Sequence, residues 1–189
     1  MMEFQTVYFK KPGAENTEAT LRLIQEWADR LSIRTVLIST TTGDTAVKAV
    51  ELLKGHEVIA VTHSTGFSQP DVQELLPAHR EKIESLGGKI LTCQHAFAGI
   101  SRAIRFKFGT YEIDEIVANA LRIFGQGLKV AIEIALMAAD AGLISTEKDV
   151  ISAGGTESGI DTAIVLKPAN VCRFFDLRIR GFLCKPWDF

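Results

Sequence analysis

Several kinds of protein are excluded by what this 189-residue chain lacks. Its three cysteines, Cys93, Cys172 and Cys184, cannot form a full disulfide framework, and reduced thiols in a cytosol are the simpler account. The opening residues, MMEFQTVYFKKPG, contain no apolar core of a signal peptide. Charges interrupt every apolar run well before membrane-spanning length. The formal net charge of −2 supplies no basic field for nucleic acid or anionic lipid. No Gly-Lys-Ser/Thr stands at P-loop spacing. Cys93 and His95 lack a second pair at zinc spacing, so no metal is expected, and no Ser-His-Asp or Cys-His arrangement can be assembled. No repeat, low-complexity tract or linker divides the chain. The expectation is a single soluble cytoplasmic domain spanning residues 1–189, with no nucleic-acid or membrane partner.

What is present is organised around residues 34–48, RTVLISTTTGDTAVK. Val36, Leu37 and Ile38 form a short apolar run. The hydroxyls of Ser39, Thr40, Thr41 and Thr42 follow, then Gly43. Asp44 and Thr45 lead into Ala46, Val47, Val50 and Leu53 at helical spacing. The pattern is strand, tight loop, helix. Such a loop gathers backbone N–H groups and hydroxyls at the positive end of a helix, where a phosphate is favoured. The plain alternative is a hydroxyl-rich cap without a ligand, but four hydroxyls exceed what one cap needs.

Along the rest of the chain, residues 6–10 form a short strand and residues 16–31 a helix with Leu21, Ile24 and Trp27 on its apolar face. Further strands are expected at 57–62, 89–93, 149–153 and 162–167. A helix from Pro70 to about Leu86 is divided or not by Pro77. The segment 94–142 is helical throughout. Its pieces run from His95 to Phe106, from Ile113 to Phe124 with Ile116, Val117, Leu121 and Phe124 on one side, and from Leu128 to Ala141. The last piece is apolar almost all round and should be buried. Residues 172–186 suit an extra edge strand or hairpin. Alternating strands and helices predict a three-layer α/β sandwich around a mostly parallel sheet. The strand at 162–167 follows its predecessor after only a glycine turn, so it should run antiparallel.

Ligands bind such sheets at the strand C-terminal ends. Four polar or glycine-rich stretches should meet there: Thr40 to Thr45; His63 to Ser68 with Gly66 and Phe67, after Thr62; Gly125 to Gly127 with Gln126, at the N-terminus of the buried helix; and Gly154 to Thr162 with Gly155, Thr156 and Asp161. His63 is either an anion contact and acid–base group or an ordinary loop histidine. Lys129 and Glu133, four apart, either neutralise each other or leave Lys129 to reach an anion. Asp161 is placed to accept hydrogen bonds from a ribityl or ribose hydroxyl.

The runs LISTTTGDTAVKAVELLKGHEVIAVTHSTG and AADAGLISTEKDVISAGGTESGIDTAIVLKP resemble the C-terminal domain of pyruvate kinase, and above all stand-alone archaeal proteins of that fold class without the kinase barrel. The resemblance implies a five-stranded core sheet in the order 3-2-1-4-5. It does not imply kinase activity, because the barrel carries the phosphoryl-transfer residues. In some pyruvate kinases the matching loop binds fructose 1,6-bisphosphate. Thr40, Thr41, Thr42, Gly43 and Thr45 match it, whereas the acidic Asp44 departs from it. The stand-alone proteins imply flavin mononucleotide (FMN), with its phosphate on the threonine loop. The expected function is therefore binding of a phosphorylated small molecule, FMN foremost. The alternative is a regulatory or assembly module acting through a partner chain. Phe174, Leu177, Ile179 and Phe182 are expected on an open apolar edge, pointing to a homo-oligomer.

Overall fold

The structure is a computed structural model and describes residues 3–189. Its elements in chain order are β1 (Val7–Phe9), α1 (Thr17–Leu31), β2 (Thr35–Ser39), α2 (Asp44–Leu52), β3 (Glu57–Val61), α3 (Pro77–Ser85), β4 (Lys89–Leu91), α4 (Ile100–Phe108), α5 (Ile113–Arg122), α6 (Gln126–Asp140), β5 (Val150–Gly154), β6 (Thr162–Lys167) and β7 (Arg178–Pro186). The strands form one sheet of seven in the order β1-β7-β6-β5-β2-β3-β4. The inner run β4-β3-β2-β5-β6 has the expected order. β2 lies parallel to β3 and β5, and β6 is antiparallel to β5.

Strand periodicity sets the two cores. Val36 and Ile38 point to one face, where α1 and α2 bring Leu21, Ile24, Ala46 and Ala49. Leu37, between them, points to the other face and meets α6 through residues such as Leu128, Ile132 and Leu136. α6 is buried along most of its length. Ser152, the one polar residue inside β5, donates a hydrogen bond to the Ala131 carbonyl at 2.7 Å, so its hydroxyl is satisfied in the core.

The strand expected at 6–10 and the extra strand expected at 172–186 both join the sheet: β7 pairs with β6, and β1 pairs parallel to β7. The segment 172–186 is thus a 3-10 turn over Val171–Asp176 and then β7. Of the residues expected on an open apolar edge, Phe174, Leu177 and Phe182 pack against the α6-side core and Ile179 stays exposed, while β1 pairs with the end of β7 at Cys184, Lys185 and Pro186. No helix begins at Pro70. Residues 69–76 make turns, with Asp71 in the left-handed region at φ 63°, and the Gln73 side chain accepts the Leu75 N–H. Pro77 starts α3 at its first turn, where a missing N–H is harmless. α4 begins at Ile100 rather than near His95, because the preceding backbone folds toward α6 and the Phe97 N–H donates to Glu133 at 3.0 Å. On α5 the buried positions are Glu115 and Ala118, while Ile116 and Phe124 face out.

Candidate functional site

The C-terminal ends of β2, β3 and β5 open into a cleft of about 820 Å³, walled on its far side by α4, α5 and the start of α6. The switch from strand to helix at 39–44 creates its floor. Gly43 sits at φ 105° and turns the chain sharply into α2. Its missing side chain matters twice, since a Cβ there would come within 2.5 Å of His79 Cβ. The Gly43 N–H donates to the Thr40 hydroxyl at 3.1 Å, and the Thr42 hydroxyl donates to Asp44 Oδ2 at 2.5 Å. Asp44 Oδ1 also lies 3.7 Å from His79 Nε2. Thr41 and Thr45 make no side-chain hydrogen bond among the described residues, and both line the cleft. No side chain caps α2. The loop thus presents unengaged hydroxyls together with a helix end whose first N–H groups lack a side-chain acceptor.

Of the other residues singled out in the sequence, Thr62, His63, Phe67, Gln126, Lys129 and Gly155 also line the cleft. The Thr62 hydroxyl is engaged by Thr92 at 2.7 Å. Gly66 is exposed away from it, and a Cβ there would meet nothing. Gly154 is a packing glycine, with Gly127 O only 2.5 Å from where its Cβ would lie. Thr156 lies outside the lining, its N–H donated to Asp161 Oδ2 at 3.2 Å. Asp161 corrects the expectation of a rim acceptor. It is fully buried, and its carboxylate takes the N–H groups of Gly13 and Thr156 and the hydroxyl of Thr162. Its role is to clamp the glycine loop to the segment after β1.

A second set of side chains faces this floor. His63 Nδ1 lies 2.7 Å from Glu74 Oε2, and the His63 ring stacks on Phe67 at 3.9 Å between centroids. The Arg102 guanidinium carbon is 4.2 Å from the Phe67 centroid. His95 Nδ1 lies 3.6 Å from Glu133 Oε2, while its Nε2 is buried without a partner. Lys129 pairs with the same Glu133 carboxylate while it also lines the cleft. Burial opposes the charge on Glu133, but the contact with His95 and the Lys129 charge outweigh it and hold the carboxyl at about 2. Burial pulls the Lys129 ammonium below its usual range, against the attraction of Glu133. Glu133 is therefore the fixed anion around which Lys129, His95 and the Phe97 N–H are arranged.

Arg102, Arg105 and Arg122 were missed in the sequence. The spacing of Arg102 and Arg105, three apart on one helix, would have placed both on one face. Single basic residues on surface-looking helices read by default as solvated. Arg105 Nε is 2.9 Å from Glu115 Oε1, an ion pair whose angle falls short of a hydrogen bond. Arg122 donates to Gln126 at 2.6 Å and to Asn119 at 2.7 Å.

With this geometry in hand, comparison with known proteins gives one family. The family described as "Pyruvate kinase, alpha/beta domain" matches residues 18–166. Among solved structures, a pyruvate kinase from Cryptosporidium parvum is 19% identical over 84% of this chain, with a TM-score of 0.44. A Cryptosporidium parvum pyruvate kinase in complex with ADP is 20% identical over 93%, with a TM-score of 0.40. This chain spans only about a quarter of either, 24% and 25% of their lengths. No helix among the described residues is long and apolar enough to cross a membrane.

Proposed function

The chain belongs to the pyruvate kinase alpha/beta domain family, and from that premise we propose that it binds a phosphorylated small molecule, flavin mononucleotide foremost, in the cleft at the head of α2. The observation that carries this reading is the threonine loop. Thr41 and Thr45 line the cleft with hydroxyls that no other side chain engages, beside an uncapped helix start. A phosphate there gains about 0.3–1 kcal/mol from the helix end, up to roughly 2 when partly buried. Each hydrogen bond to the charged phosphate adds about 1.5–3 kcal/mol. Micromolar binding corresponds to roughly 8 kcal/mol, so a few such donors suffice. The Asp44 carboxylate, engaged by Thr42 and near His79, does not stand alone against the phosphate.

The residues present fit a flavin nucleotide on three counts. The cleft volume of about 820 Å³ lies in the range of small-molecule sites. Phe67 and His63 offer aromatic surface on the wall above the loop, and buried His95 Nε2 is an unpartnered polar atom at that wall. When bound, the flavin ring supplies redox chemistry. The chain's own residues hold the phosphate at Thr41 and Thr45 and keep the Glu133–His95–Lys129 group desolvated beside it. The cytoplasm suits a chain with three free cysteines. The direct test is the absorption spectrum and mass of the molecule that co-purifies, with a Tm scan in added FMN. A colourless protein whose Tm ignores FMN contradicts the flavin reading.

One observation favours the second reading, an assembly module. α4 buries none of its residues, and Ile100, Phe106, Phe108, Ile113 and Ile123 stand between 69% and 79% exposed on α4 and α5. Exposed apolar surface of this extent marks an interaction face, and a homo-oligomer through that face replaces the strand-edge pairing expected from the sequence. Sedimentation at 20.7 kDa contradicts it.

A further inference from the structure

The far wall of the cleft carries more positive charge than it neutralises. Glu115 pairs with Arg105, and Glu133 pairs with Lys129. No carboxylate oxygen lies within 4.0 Å of Arg102 or Arg122 among the described residues. Arg122 is held only by the neutral oxygens of Gln126 and Asn119, which orient its guanidinium without cancelling its charge. Arg102 Nε is buried and has no hydrogen-bond partner. A donor left unmade out of water is costly. Burial, followed by the like charge of Arg105, makes the charged form of Arg102 harder to hold, against the nearby carboxylates of Glu133 and Glu115. Two guanidinium groups lining one cleft, one oriented by amide oxygens and one short of a partner, suit a planar or tetrahedral oxyanion.

We propose that Arg102 and Arg122 form a second anion-binding subsite, on the wall opposite the threonine loop, for a carboxylate or phosphate group. The proposal rests on the reading that the loop holds a phosphate, and extends it. The ligands of this cleft are molecules with two anionic ends, or a loop-bound phosphate compound together with a separate small anion. The subsite is built from α4 and α5, whereas the loop belongs to α2, so each can be removed without the other.

Nuclear magnetic resonance of the arginine Nε–H groups reads the subsite directly. The probes are inorganic phosphate, malonate, an alkanediol bisphosphate and the matching monophosphate, at constant ionic strength. Phosphate and malonate should move the Arg102 and Arg122 Nε–H signals in a saturable way, in the native chain and equally in Thr41→Val. Arg122→Gln should weaken that response at Arg102 by about tenfold or more, and Arg122→Lys should restore part of it. If one ligand spans both ends, the bisphosphate binds about tenfold tighter than the monophosphate and Arg122→Gln removes the advantage. If a separate anion uses the arginines, the two phosphates bind alike and malonate still moves the arginine signals with monophosphate bound. Arginine signals that no probe moves, at concentrations that saturate the loop, overturn the subsite while leaving the loop reading intact. Monophosphate affinity unchanged in Thr41→Val overturns the loop reading instead.

Discussion

α6 and α4 border the same cleft and are built on opposite terms. α6 buries most of its fifteen residues, and even its Lys129 and Glu133 are interior. α4 buries none of its nine and leaves Ile100, Phe106 and Phe108 in solvent. The difference separates two jobs. α6 packs against β5, β2 and β6 and fixes the site's internal charges where water cannot relax them. α4 supplies Arg102 and Arg105 to the cleft from a helix whose Ile100, Phe106 and Phe108 stay exposed among the described residues. Scaffold and ligand-facing wall are thus held by different forces, and perturbing each should cost very different amounts.

The largest expected effect comes from α6. Glu133→Ala leaves Lys129 buried beside no carboxylate and the Phe97 N–H without its acceptor. Removal of one partner from a buried pair costs about 3–5 kcal/mol, which chemical denaturation measures. The same group sets a pH dependence. Its carboxyl is held at about 2 against an ordinary 4.5, so the stability it contributes is complete above pH 4.5 and is lost as pH falls toward 2. Urea midpoints across that window should decline in the native chain, and Glu133→Gln should flatten the decline. A native chain with no more pH sensitivity than Glu133→Gln breaks the account of α6.

Next in size is the packing of α6 on the sheet. A Cβ at Gly154 would lie 2.5 Å from Gly127 O and 2.7 Å from Val130 Cβ. Gly154→Ala should therefore cost about 1–3 kcal/mol through forced backbone displacement, read as a lowered Tm. An unchanged Tm means that α6 shifts freely, and the contrast with α4 weakens. The smallest effect belongs to α4. Phe106→Ser should change the stability of the isolated chain by no more than about 0.5 kcal/mol. Sedimentation should nevertheless move toward 20.7 kDa if the α4–α5 face joins copies. A large stability loss at constant mass would place Phe106 in a core and sink the comparison.

The same contrast decides how much was legible in the sequence. The β2–loop–α2 unit could be read because its pattern changes period abruptly, from β-branched run to hydroxyls to helical spacing. The sheet order followed from the resemblance, and the antiparallel β6 from the short connection before it. Pro70 was read as the helix start and Pro77 as a possible break within that helix; the turn at Asp71 and the burial of Leu75 move the start to Pro77. Ile116, Val117, Leu121 and Phe124 were placed on one side by spacing alone; Val117 and Leu121 pack against the α6-side core, whereas Ile116 and Phe124 are exposed. Asp161 was expected as a rim acceptor; its burial and its partners Gly13, Thr156 and Thr162 are tertiary facts that spacing does not carry. The arginines of the far wall were passed over because spacing puts Arg102 and Arg105 on one face without saying that this face lines a cleft.

The central claim is that the threonine loop holds the ligand's phosphate, and calorimetric titration of FMN and riboflavin into the native chain and Thr41→Val tests it most directly. The two ligands differ only in that phosphate. The account predicts that Thr41→Val weakens FMN by about tenfold or more and leaves riboflavin where it was. Equal losses for both ligands, or no loss for either, would mean that the phosphate lies elsewhere, and the claim would be wrong.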